Sequence, residues 1–466
     1  MRRLASLPAA ASLVAASLAA CGPDPAPTAP RPNPTPMAPV SGAAPPVSAG
    51  ATPIALGGKG ADRLATTRPK GAPTLGPEGP STARSTTPSV YLANHTARRE
   101  ALEARLASTP ADPGARPALA SWHIEQMALD GDLEHAVTAE RLLTDQLGPE
   151  PSDPSLLGRR ASVRGHLHRF QEARADLERA LAQKPGDPEI RRALAGVLEN
   201  LGLAGEAAAQ REGLAPEEDF QGLGQAALAH YLAGRIQAAD HTLRRAHGAY
   251  ADVHPGALAW IDLHRGHLRL RTGRWEAARA FFRAAYERLP QNFVVAEHLA
   301  EVEALLGNHP EALRIYDEVV AATRLPEFMA ARAGVLTALG RTEEARAAIT
   351  AADQGWKALL ERYPTALAAH AIDFWLEDKL DPALAHHWAE KNLEVRRDPE
   401  SLLRAVRARV AVGKLDAARA LLPELSAPPL TDEFQLGLAA ALEATGDPQG
   451  AAQARARARA LNPKAE

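Results

Sequence analysis

Histidine is the residue type in this 466-residue chain that most invites a chemical reading, with 16 copies. His264 and His267 stand three apart. On a helix both imidazoles would face one side and could share a metal ion. His386 and His387 are adjacent and point in different directions, with Glu390 one turn beyond them. Neither group offers three convergent ligands on its own helix, so the sequence assigns no metal site and no cofactor. The phosphate-cradling G-x-x-x-x-G-K, the zinc-binding H-E-x-x-H, the nucleophile elbow G-x-S-x-G and a strand-to-helix G-x-G-x-x-G are all missing. No catalytic residue is assigned, and the chain is not expected to be an enzyme. The alternative is a metal-binding protein or unconventional enzyme using the His-rich central repeats.

The single cysteine, Cys21, is informative through its position. Arg2 and Arg3 form a short cationic start, Leu4 to Ser17 carry no charge, and Leu18-Ala19-Ala20 lead into Cys21. This is the layout of a secretory signal peptide over residues 1–20, too short for an ordinary membrane span. The small residues before the cysteine resemble a bacterial lipobox. The resemblance implies cleavage before Cys21, acylation of Cys21 and stable anchoring by several acyl chains. Gly22 in place of Asp then implies sorting to the outer membrane of a bacterial cell envelope.

From residue 21 to about 90 the chain is mostly Pro, Ala, Thr, Gly and Ser, with 16 of the 38 prolines. Such a segment buries too little apolar surface to offset its ordering entropy, which predicts a disordered tether. Fully extended, it would reach about 200 Å at ~3.1 Å per residue. Tyr91 to Ala107, marked by Leu92, Leu102 and Leu106, reads as one N-terminal capping helix within a segment 91–116.

Residues 117–466 repeat. Aromatics are only 4% of the chain, and Ala and Leu dominate its apolar residues, which favours helices over strands. Ten units begin near Pro117, Pro154, Pro188, Phe220, Ala259, Phe293, Pro326, Ala366, Pro399 and Asp432. Each carries Ala nineteen residues in, from Ala136 to Ala451, and eight of ten carry Gly five residues earlier. Asp153-Pro154, Asp187-Pro188 and Asp398-Pro399 pair an N-cap with a first helical residue that needs no donor. The Gly suits the end of a first helix, and the Ala suits close approach of a second. Units 220–258 and 326–365 are long, and units 154–187 and 366–398 lack the Gly. Asp373 stands where a small residue belongs: a local register shift would expose it, whereas a buried carboxylate there would need a partner, such as His370, His386 or His387.

This pattern resembles the tetratricopeptide repeat (TPR) family. The resemblance implies an all-α, right-handed α-solenoid of about ten helix pairs, with a concave groove lined by first helices. The face predicted for that groove includes Glu189, Arg192, Tyr231, Trp260, His267, Glu297, Glu301, His370, Phe374, Glu377 and Arg407. Its aromatic and Arg content suits a protein or peptide partner. Lys and Arg number 53 against 56 Asp and Glu, so net charge makes no case for nucleic acid as a partner.

Overall fold

The structure is a computed structural model that describes residues 79–466, apart from 217, 426–428 and 466. The signal peptide, Cys21 and the tether up to residue 78 lie outside the described residues. The described residues form helices and no strand. α1 (Pro88–Ser108) is followed by ten antiparallel pairs. They are α2 (Ala115–Asp130) with α3 (Glu134–Leu147), α4 (Pro154–His166) with α5 (Phe170–Gln183), and α6 (Pro188–Asn200) with α7 (Ala204–Arg211). Next come α8 (Phe220–Leu232) with α9 (Ile236–Ala249), α10 (Pro255–Leu270) with α11 (Trp275–Arg288), and α12 (Phe293–Leu305) with α13 (His309–Thr323). The last four are α14 (Pro326–Ala338) with α15 (Thr342–Arg362), α16 (Ala368–Glu377) with α17 (Pro382–Val395), α18 (Pro399–Ala411) with α19 (Leu415–Leu421), and α20 (Asp432–Ala444) with α21 (Pro448–Leu461).

The local chemistry of a pair follows the sequence closely. Asp153, Asp187 and Asp398 each accept two backbone N–H bonds at the start of a first helix. All ten repeat alanines are buried between the helices of their pairs. The small residue of the first helix is equally constrained: a Cβ on Gly266 would stand 2.6 Å from the Phe282 ring. In the two units without a turn glycine, His168 and Leu380 take the left-handed conformation instead, at φ 54° and 56°. The repeat geometry therefore dictates the turn even where the residue type resists it. The long unit 326–365 extends its second helix, whereas the extra length of 220–258 lies in α10, which already starts at Pro255 rather than at Ala259.

A second packing rule was not legible in the sequence. The chain returns on itself every six pairs. The backbone N–H of Arg397 donates to the carbonyl of Asn200 at 3.2 Å, and that of Leu430 to Leu232 at 2.8 Å. Thr365 Oγ1 donates to the Leu167 carbonyl at 3.0 Å, and the Lys464 ammonium sits 3.6 Å from the Trp275 ring centre. Each contact joins the turn inside one pair to the connection six pairs later. At Gly131 the approach is so close that a Cβ would stand 2.8 Å from Leu325.

Candidate functional site

The helix register brings a line of polar side chains into the interior of the array. Tyr231, Trp260, Glu297, Glu301, His370 and Phe374, expected on an open concave face, are buried. Arg192, His267, Glu377 and Arg407 are half-buried, and Glu189 alone of this set is exposed. Six of the eleven residues drawn on that face are thus covered in the structure. Neighbouring pairs cover them, as where Glu327 of α14 pairs with His370 and Phe220 packs on Trp260, and the return of the chain adds Glu433 of α20 against Arg271, at the end of α10.

Within this line, α12 places Glu297, His298 and Glu301 together. His298 Nδ1 lies 3.2 Å from Glu297 and 3.0 Å from Glu301. Arg271 approaches Glu301 at 3.9 Å, and His267 Nε2 meets the Tyr231 hydroxyl at 3.3 Å. Burial would lower the His298 pKa, but the two carboxylates outweigh it and hold it above the usual value. Burial raises Glu297 to about 7, with Glu301 and Glu327 adding to the effect. Burial would also raise Glu301, but the His298 hydrogen bond and Arg271 keep it low. Burial takes Glu433 up to about 8 against the pull of Arg271. Buried donors nearby lack hydrogen-bond partners, namely His298 Nε2 and the Tyr316 hydroxyl.

One ligand atom from each of Glu297, His298 and Glu301 lies within 4.8 Å of the others, so this trio could hold a metal ion. It is not the histidine pair singled out by spacing. His264 Nδ1 bonds the Trp260 carbonyl at 2.8 Å, and His267 bonds Tyr231, so the two imidazoles serve different partners. His386 Nε2 contacts the Lys414 ammonium at 2.9 Å and its Nδ1 lies 3.4 Å from Glu390, which also accepts from Arg409. Asp373 is buried rather than exposed by a register shift, and its partners are Arg404 at 2.7 Å and Arg407 at 3.4 Å rather than histidine. His370 pairs with Glu327 at 3.0 Å. Sequence spacing also missed a relay in the first pair, where Asp130 contacts His135 at 3.1 Å and His135 contacts His123 at 2.8 Å.

A separate site holds the segment before α1. Residues 79–86, assigned to the tether by composition, lie against α10, the ends of α9 and α11, and the 250–254 connection. Arg288 Nη1 donates to the Ala83 carbonyl at 2.8 Å and to Ser85 Oγ at 3.3 Å; its Nη2 donates to the Ser81 carbonyl at 2.5 Å. Asp262 accepts the Ser81 N–H at 2.9 Å, and His247 Nε2 meets Ser81 Oγ at 2.6 Å. Arg265 reaches the Gly79 carbonyl at 3.4 Å, and the Val253 carbonyl accepts the Thr86 N–H at 2.8 Å. Asp262 is wholly buried, which raises its pKa despite the Ser81 N–H and Arg288. The contacts are mostly to main chain. Composition gave no signal for them, because any extended backbone offers the same carbonyls and N–H groups.

No family model and no curated protein matches this chain. Among solved structures it is similar to a tetratricopeptide repeat protein from Parabacteroides merdae, at 17% identity over 51% of this chain and 93% of that one, TM-score 0.33. Yeast Tom70 aligns at 14% identity over 79% of this chain and 92% of its own, TM-score 0.31. Human IFIT1, solved as a dimer with PPP-AAAA, aligns at 13% identity over 75% and 73%, TM-score 0.32. The all-α helical-repeat fold stated above stands on the helix pairs of this chain.

Proposed function

We propose that this protein is a scaffold that holds protein partners, presented from a bacterial membrane by lipid on Cys21. The observation that carries the reading is the capture of residues 79–86: the array already binds an extended chain through side chains of three neighbouring helices. The signal-like residues 1–20, the lone Cys21 and the Pro-rich segment support the envelope location and the tether, with the outer membrane as the destination. The chain's slight excess of acid over base favours a protein partner over a nucleic acid.

The test is crosslinking in cells with photo-reactive probes at Glu189 and Thr82, both exposed. One protein captured reproducibly at either position is the expected result. No capture with a correctly localised, folded protein would sink the reading. Cys21→Ala should move the protein from the membrane fraction to the soluble one and abolish acyl labelling.

The Glu297–His298–Glu301 trio favours a second reading, metal binding. Its N···O separations match the roughly 3.3 Å between ligand atoms around a tetrahedral zinc. Zinc chloride should then raise the melting temperature of the wild type and leave Glu301→Gln unmoved. No shift in the wild type with zinc, manganese or cobalt ends that reading.

A further inference from the structure

We propose that residues 79–86 are the resident occupant of a peptide-binding slot, and that an extended partner segment with small side chains at alternate positions displaces them. The inference rests on the scaffold reading and specifies its site.

Three features of the contact argue for exchange. The first is that the slot reads backbone. Carbonyls of Gly79, Ser81 and Ala83 and the N–H groups of Ser81 and Thr86 account for most of its bonds. Such contacts accept any chain that can lie extended there. The second is the alternation of exposure. From Ser81 to Ser85 the residues alternate, Ser81, Ala83 and Ser85 half-buried and Thr82 and Arg84 exposed; Pro80 and Thr86, outside this stretch, are half-buried as well. This period of two is that of an extended strand with one face on the surface. It defines what the slot tolerates: Ser at the first inward position, where His247 and Asp262 meet it, Ala at the second and Ser at the third. The rule reads Ser-x-Ala-x-Ser.

The third feature is an asymmetry. Asp262 and Arg265 are built into the array and buried, and the Arg288 side chain is 11% exposed. No residue from Gly79 to Thr86 is itself buried. The arm therefore adds no large apolar anchor, and its hold comes from hydrogen bonds that a competitor can replace one for one. What keeps it in place is proximity. It runs directly into α1, which is fixed by Tyr91 against His254 and by the Trp122 indole N–H donated to the His95 carbonyl. An intramolecular segment on so short a link has an effective concentration of order millimolar. A free peptide of equal intrinsic affinity competes poorly until the arm is weakened. The same short link prevents a second copy from donating its arm without unpacking α1, so the displacing segment belongs to another protein.

The probe is a fluorescent peptide of residues 79–86, Gly-Pro-Ser-Thr-Ala-Arg-Ser-Thr, titrated against the full chain. Ser81→Pro with Thr86→Pro in the protein removes both N–H donors to the slot and the Ser81 hydroxyl that meets His247, and should free the slot. The released variant is expected to bind the peptide at least about tenfold more tightly than wild type. Adding Arg288→Gln to it should abolish the gain. Thr82→Glu in the peptide should leave affinity within about twofold, and Ala83→Trp should cost at least about tenfold. A released variant with wild-type helicity and no gain in affinity overturns the proposal. Should the double variant fail to fold, hydrogen exchange on the wild type decides. Peptide raised well above the arm's effective concentration of order millimolar must accelerate exchange of the Ser81 and Thr86 amides, and no acceleration there counts against the slot. If the slot fails while cellular crosslinking at Glu189 still captures a protein, the scaffold reading survives; if both fail, both fall.

Discussion

At the residue scale, the interior acids make stability depend on pH. Glu297 and Glu433 have folded pKa values raised from 4.5 to about 7 and about 8, and His298 is raised as well. Each binds its proton more tightly folded than unfolded. Their contribution is fully present below the unfolded pKa and is lost as pH rises through the folded one. Buried histidines such as His264 and His267, whose folded pKa burial lowers, act the opposite way below their unfolded value of about 6.5. The net fall should therefore show from about pH 7 to about pH 8, and Glu297→Gln should flatten it; urea titrations across that range check both. Leu380 offers a different test. It is 62% exposed and left-handed at φ 56°, so its side chain gains little from burial while its backbone is strained. Leu380→Gly should stabilise the chain by about 0.5–1 kcal/mol, read as an upward shift of the urea midpoint. Glu297 and Glu301 were visible in the sequence as members of one helix face. Their environment was not, because Arg271 and Glu327, which act on them, stand on the pairs before and after and nothing local marks them as interior.

At the element scale, the turn glycines separate two effects that sequence alone merges. Every one of them has positive φ, which a Cβ disfavours by about 1 kcal/mol. Gly131 additionally has Leu325 where its Cβ would go, and Gly202 has the Arg397 carbonyl at 2.9 Å. Gly340 and Gly413 have nothing within 4 Å. The difference comes from position: pairs one to five have a connection six pairs ahead to meet, and the later pairs do not. Gly340→Ala should cost about 1 kcal/mol, and Gly202→Ala about 1–3 kcal/mol more through overpacking against the Arg397 main chain, which cannot swing away as the Leu325 side chain can. Equal losses in chemical denaturation would remove the contact from the account. Helix starts, turns and the alanine contact were legible because each is encoded within a dozen residues. The buried Arg160–Asp176 pair and the Asp240 carboxylate between Arg265 and Arg269 were not. On a helix surface Arg and Asp read as solvent-facing, and nothing local marks them as interface residues.

At the scale of the whole molecule, the contacts across six pairs change how stability should spread. In a repeat array held only by neighbours, losing the last pair weakens the one before it and little else. Here the tenth pair reaches much further back. Leu430 bonds Leu232 at the end of α8, Glu433 pairs with Arg271, and Lys464 covers Trp275. Truncation after Leu425 should therefore loosen α8, α10 and α11, which lie far upstream in the sequence. Pairs one and two should stay protected, because their long-range partners are Leu325, Tyr363 and Thr365, which the truncated chain retains. Hydrogen exchange on the truncated and full chains reads this directly. Faster exchange at Leu232 and Arg271 with unchanged exchange at Met127 and Val163 is the expected pattern. A graded loss confined to α18 and α19 would return the molecule to nearest-neighbour behaviour. The prediction also bears on the arm, since α10 and α11 carry Asp262, Arg265 and Arg288. If the tenth pair steadies those helices, its loss should weaken the grip on residues 79–86 and bring their amides into faster exchange, coupling the end of the array to the slot beside its start.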